Sequence, residues 1–92
     1  MIETENFTAA LLRDGYLDVE TRTIGPNIEV PLHSHAFDVR ALVLSGQAGI
    51  DCGQGVVVYR SGDVVEVAAG CPHTESYGPQ GYTFLVGRRH PA

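Results

Sequence analysis

Turn-forming residues interrupt this chain at short intervals, and that spacing restricts its fold more than any other feature. Gly25-Pro26-Asn27, Ser45-Gly46, Gly53-Gln54-Gly55, Ser61-Gly62-Asp63, Ala69-Gly70 and Gly78-Pro79-Gln80-Gly81 each close a short run of alternating or β-branched residues. Segments of that length build strands joined by tight turns and leave no room for long helices. Eleven glycines stand against eleven valines in 92 residues, a composition that suits such strands and turns.

One segment departs from this pattern. Across residues 4–14, Phe7, Leu11 and Leu12 recur at helical spacing, and Gly15 stands where a helix stops. A helix this short needs a surface to dock on. From Tyr16 onward the period changes to two: Leu17, Val19 and Thr21 alternate with Asp18, Glu20 and Arg22, then Ile28, Val30 and Leu32 alternate. Further strand-like runs follow, with Gly53-Gln54-Gly55 as a hairpin turn. About eight short strands predict a single all-β domain over residues 1–92, a sandwich or barrel preceded by a helical segment at 1–15.

Charge narrows the partners. Six basic residues, all arginine, face eleven carboxylates, for a formal charge of -5. A phosphate-backbone binder needs a basic stripe to displace counterions, so nucleic acid is not an expected partner. No apolar run spans a bilayer and no signal-like N-terminus is present, so no membrane association is expected. Two cysteines, Cys52 and Cys71, are too few for a disulfide scaffold and point to a reducing, cytoplasmic setting.

Four histidines are many for so short a chain. Residues i and i+2 of a strand project to one face, so His33 and His35 can share a metal ion. A third nitrogen must come from elsewhere, and His73 follows Gly70-Cys71-Pro72 at the start of a later strand. Imidazole suits several divalent ions, so the donor type alone does not choose among them. On spacing alone, surface histidines beside a turn are the favoured reading of His33 and His35. His90, next to Arg88 and Arg89, reads as a solvated tail residue outside any ligand set.

The order of these residues resembles the two motifs of the cupin superfamily. Gly25, His33-Ser34-His35 and Gly46 follow the first motif, and Gly62, Gly70 and His73 follow the second. Ala68 stands where the second motif has proline, and Tyr77 where it has asparagine. Fifteen residues separate Gly46 from Gly62, the short spacer of small cupins, and the resemblance covers residues 25–77. It implies a double-stranded β-helix, or jelly-roll, barrel. It also implies a divalent metal (Fe, Mn, Ni or Zn) held by His33, His35 and His73, and a small-molecule ligand or substrate.

The first motif departs from the family at its glutamate ligand. That position falls on Val39, and the alternative spacing on Arg40, neither of which binds metal. Asp38 is adjacent but has the opposite strand parity, so it reaches inward only if residues 36–38 bulge. Otherwise it is a solvated turn residue or a partner for Arg40. The expected donors are therefore three neutral imidazoles with open positions for water or substrate. Without a carboxylate, a divalent ion keeps more positive charge and favours anionic or bidentate oxygen ligands. Among cupins such a site resembles the iron dioxygenases of thiols, β-diketones and gentisate-like substrates.

His73, Glu75 and Tyr77 share a face if their strand is regular, which lets Tyr77 hydrogen-bond a substrate or simply cover apolar surface. Tyr82 and Phe84 share a face of the last strand as barrel filling. Cys71 is either a redox-sensitive neighbour of the metal or a small turn residue. With His33 and His35 inward, strand parity turns Ile28, Val30 and Leu32 outward, and likewise Leu42 and Leu44 if Val39 faces in. That apolar face predicts a homodimer packed sheet on sheet, as cupins commonly form. The function these residues suggest is a metal-binding cupin of non-haem iron dioxygenase type, with Tyr77 orienting the complex. The alternative is a non-catalytic metal or small-ligand binding or sensor module.

Overall fold

The computed structural model describes residues 2–91, so the two end positions of the expected domain lie outside the described residues. One helix, α1 (Ile2–Arg13), precedes six strands: β1 (Leu17–Ile24), β2 (Glu29–His33), β3 (Asp38–Asp51), β4 (Val56–Arg60), β5 (Val64–Val67) and β6 (His73–Arg89).

Local chemistry accounts for the helix and its end. Glu3 and Glu5 lie in the first turn of α1 and Arg13 in the last, each matching the helix dipole. Gly15 takes φ +85°. The Tyr16 N–H then donates to the Leu11 carbonyl at 2.8 Å, and the Gly15 N–H to that of Leu12 at 3.2 Å. This is the Schellman closure, completed by its apolar contact, since Leu11 and Tyr16 are both buried.

Two long strands organise the sheet, and each serves both of its halves. The first half of β3 (from Asp38) pairs with β5 on one side and the second half of β6 on the other. The second half of β3 pairs with β4 and the first half of β6. β1 adds to the far end of β6 and β2 to its start. The result is two four-stranded half-sheets, β1-β6-β3-β5 and β2-β6-β3-β4, folded over one core. Six strands stand where about eight short ones were expected, because Ser45-Gly46 and residues 78–81 bend β3 and β6 without ending them; counted as halves, the segments have the jelly-roll arrangement. β1, β2, β4 and β5 remain edges, so hydrogen bonding does not close the barrel.

The fold turns its corner where β3 and β6 cross. Register shifts between Val43 and Ser45 and between Gly46 and Ala48, and residues 78–81 bulge out of the pairing. Gly46 takes φ +73° and Gly81 φ +76°. A Cβ on Gly46 would overlap the Gly81 carbonyl oxygen and lie 2.8 Å from its carbon. Only glycine allows the two backbones this approach. Beneath the corner lies the core: Ala41, Val43 and Val86 from one half-sheet, Ala48, Ile50 and Tyr77 from the other, with Tyr82 at the crossing.

The outer faces differ from the expectation. Leu42 and Leu85 are paired and buried, and α1 packs on that face, where Leu11 and Tyr16 meet Gly87. Leu42 is therefore covered within the chain, and Leu44 is half-buried. Val30 turns inward and packs on the core because the β2 register shifts between Val30 and His33, at Pro31, which has no N–H for the ladder. Of the five residues assigned to an outer apolar face, Ile28 and Leu32 are exposed. Among the described residues no helix is long and apolar enough to cross a membrane.

Candidate metal centre

β2 and β6 bring the three histidines together. His33 ends β2 directly opposite His73 at the start of β6. His35 lies beyond the strand, so its convergence does not come from strand alternation; its carbonyl accepts the Gly70 N–H at 2.8 Å, tying this loop to the turn before His73. Ring centroids are 4.2 Å apart for His33 and His73, 4.9 Å for His33 and His35, and 5.0 Å for His35 and His73. One nitrogen from each lies within 4.8 Å of the other two, the one such group of metal-ligating side chains among the described residues.

Hydrogen bonds set the tautomers. His33 Nδ1 lies 2.8 Å from the Pro31 carbonyl and His73 Nδ1 2.9 Å from the Cys71 carbonyl. A carbonyl only accepts, so each Nδ1 carries the proton and each neutral ring presents Nε2 with its lone pair. His73 is 1% exposed, while His35 Nδ1 is buried with no partner. Burial first, then repulsion by His73 and His33 when those rings are protonated, holds His35 below the ordinary imidazole range and so toward its neutral form.

The carboxylate beside these rings is Glu75. Its Oε2 lies 3.3 Å from His33 Nε2 and 3.5 Å from His73 Nε2. Its Oε1 accepts the Tyr77 hydroxyl at 2.9 Å. Glu75 is two residues beyond His73 on a paired stretch of β6, so strand alternation alone puts it on the imidazole face. That signal is legible in the sequence, whereas the family motif places its carboxylate at positions 38–40.

Those positions do other work. Val39 lines the cavity beside the histidines. Arg40 pairs with Asp14 at 2.6 Å and Glu66 at 3.2 Å. Both oxygens of Asp38 are engaged away from the imidazoles: Oδ1 accepts the Ala69 N–H at 2.8 Å, and Oδ2 accepts Arg89 at 3.0 and 3.1 Å. These two partners, the Ala69 amide first, hold its carboxyl below the usual range.

Tyr77 is buried and stacks on Tyr82 at 5.2 Å, which stacks on Phe84 at 4.3 Å. Burial first, then Glu75, pushes the Tyr77 phenol well above its ordinary range, so it donates to Glu75 and stays protonated. A cavity of ≈ 160 Å³ opens beside this column, with His35, Glu75 and Tyr77 on one side, Val39 and Val86 on another, and Arg22 and Arg88 also lining it. Phe37 stacks on His35 at 5.0 Å, and His90, expected to be free in the tail, packs edge-on against Phe37 at 5.5 Å. Cys52 and Cys71 are both free thiols. The groove between α1 and Leu85 contains no histidine or cysteine.

The fold is that of the cupins, as comparison with solved structures shows. A cupin superfamily protein from Desulfitobacterium hafniense superposes with a TM-score of 0.68 at 19% identity, covering 79% of this chain and 66% of that one. A conserved Klebsiella pneumoniae protein with a double-stranded β-helix domain gives 0.64 at 26% identity, over 77% and 64%. A DMSP lyase from Ruegeria pomeroyi gives 0.68 at 22% identity, over 77% of this chain and 36% of the lyase. The chain thus spans about two thirds of the first two proteins and about a third of the lyase. No protein-family model and no curated protein matches the sequence.

Proposed function

We propose that this single cupin domain binds a divalent metal ion through His33, His35 and His73, with Glu75 as carboxylate donor, and uses it on a small molecule. The observation that carries this reading is the facing of two Nε2 lone pairs and one carboxylate oxygen at 3.3 and 3.5 Å. Lone pairs so placed repel each other unless a proton or a metal ion lies between them, and in the neutral tautomers fixed by Pro31 and Cys71 a metal ion fills that place. His35 adds a third nitrogen within 4.8 Å of the other two, and its buried Nδ1 has no hydrogen-bond partner. Three imidazoles and a carboxylate suit Fe, Mn, Ni and Zn. When bound, such an ion supplies Lewis acidity, and iron adds redox access to dioxygen.

The chain's own residues prepare the centre. The Pro31 and Cys71 carbonyls hold two rings in the ligating tautomer, and the Tyr77 hydroxyl fixes the rotation of the Glu75 carboxylate. Ile24, Val39, Phe84 and Val86 give the cavity beside it an apolar lining. The carboxylate also changes the analogy drawn from sequence. A donor set that includes Glu75 no longer singles out the carboxylate-free dioxygenases, so iron-oxygen chemistry and Lewis-acid chemistry stand side by side. A non-catalytic binding or sensor module is the second reading, favoured by the protonated Tyr77, which leaves the cavity no phenolate base.

Metal analysis of untagged protein tests the proposal. We expect one of the four ions to co-purify, or to raise the melting temperature of metal-free protein, and His73→Ala to abolish the effect. Failure of all four ions to bind would refute it. With metal established, anaerobic Fe(II) loading and an oxygen-uptake screen of thiols, diketones and dihydroxybenzoates separates dioxygenase from binding module.

The same proposal includes a homodimer in a reducing cytoplasm. β4 is a sheet edge carrying Val56, Val57 and Val58, exposed at 63%, 53% and 38%, and Leu32 on β2 is 69% exposed. An apolar edge strand without lysine or proline is a pairing surface, and a second copy would cover it.

A further inference from the structure

Adjacent arginines on β6 have opposite fates. Arg89 points outward and meets Asp38. Arg88 lies on the inner face, two residues beyond Val86 and opposite Val39, and lines the cavity beside His35. Arg13, Arg22 and Arg40 each have a carboxylate, and Arg60 is exposed to solvent. Among the described residues, Arg88 is the half-buried arginine whose side chain has no hydrogen-bond or carboxylate partner; its guanidinium lies 5.6 Å from the centroid of the Phe37 ring. A partly desolvated guanidinium without an acceptor is unfavourable, and an anion brought to it repays that desolvation.

We propose that Arg88 is the anchor for the carboxylate of a small organic acid bound in the ≈ 160 Å³ cavity that Arg88 and His35 both line. The volume equals roughly five liquid waters at about 30 Å³ each, which limits the ligand to about five to eight heavy atoms. Its body lies against Ile24, Val39, Phe84 and Val86, so it is short and apolar. A monoanion fits better than a phosphate: Arg22, the other cation lining the cavity, already has Glu20 at 3.5 Å, and Glu75 repels a second negative charge. The planar guanidinium fork matches a carboxylate in two parallel hydrogen bonds. The far end of the ligand then faces the centre proposed above; this assignment of substrate class rests on that reading, but the anion site does not.

Calorimetric titration of the full chain, metal-free and zinc-loaded, with butyrate, butyramide and inorganic phosphate tests it. Butyrate should bind metal-free protein, butyramide at least about tenfold more weakly, and Arg88→Gln should lose butyrate by about tenfold or more. Arg60→Gln should bind as the parent does. Absent butyrate binding, equal binding of butyramide, tighter binding of phosphate, or undiminished binding by a folded Arg88→Gln would each overturn the proposal. If Arg88→Gln fails to fold, the three probes on the parent chain decide. Failure of Fe, Mn, Ni and Zn alike to bind, while Arg88 still discriminates butyrate, would sink the metal reading and leave this one standing. Butyrate that binds only with zinc, and independently of Arg88, would do the reverse.

Discussion

Gly46→Ala probes the crossing on which the site depends, because that crossing sets the course of β6 and hence of His73, Glu75 and Tyr77. Two penalties combine there. A residue with a Cβ at φ +73° pays about 1–2 kcal/mol for the left-handed conformation. The new methyl also overlaps the Gly81 carbonyl, whose carbon would lie 2.8 Å away, and this is backbone that cannot swing aside. Overpacking of that kind costs about 1–3 kcal/mol, so the sum is about 2–5 kcal/mol. Gly70→Ala separates the terms: Gly70 has φ +77°, but a Cβ there meets nothing within 4 Å. It should lose only the conformational penalty. At about 4–8 °C per kcal/mol for a domain of this size, Gly46→Ala should lower the melting temperature by about 8–40 °C. Gly70→Ala should lower it by about 4–16 °C. Urea unfolding monitored by circular dichroism provides the matching free energies. Equal losses in the two variants would show that the close approach of β3 and β6 contributes nothing, and the account of the corner would be wrong.

Glu75→Gln keeps an oxygen for the Tyr77 hydroxyl and removes only the charge, so metal affinity should fall by about tenfold or more while the melting temperature of metal-free protein changes little. Unchanged affinity by isothermal titration would exclude Glu75 from the donor set. Stability should fall on acidification from about pH 4 toward pH 2. Arg13 and then Arg40 hold Asp14 at about 2, and Ala69 and Arg89 hold Asp38 below its usual value. Folded values below the unfolded one stabilise above the unfolded pKa and lose that contribution as pH falls through the folded values. Urea midpoints of Asp14→Asn with Asp38→Asn should show a shallower acid slope, and an unaltered slope would refute the assignment. Leu32→Asp with Val56→Asp should shift the protein to monomer in sedimentation velocity without unfolding it; a dimer that persists would place the interface elsewhere.

Much of this molecule is written in short-range signals. The glycine and proline spacing marks the strand segments, Gly15 marks the end of α1, and the valine-rich alternation marks strands around one core. These follow from the dihedral limits of glycine and proline and from the two-residue period of a strand, and neither needs distant contacts. The gathering of His33, His35 and His73 was legible too, through motif order, although strand alternation was the wrong reason for His35. It leaves the strand after His33, and the Gly70 amide draws its loop to the turn before His73.

Other features depend on pairing across the chain. The inward turn of Val30 depends on a register shift at Pro31 that no local periodicity reveals. Asp38 is bound to Arg89, 51 residues away, so its side chain could be placed only once β3 lay beside β6. Glu75 stood on the correct face in the sequence, but its role emerged when β2 set His33 against His73 with the carboxylate between. Likewise nothing local distinguishes Arg88 from Arg89. Neighbours on a strand face opposite sides, and the fold supplied a carboxylate to one side and a cavity to the other.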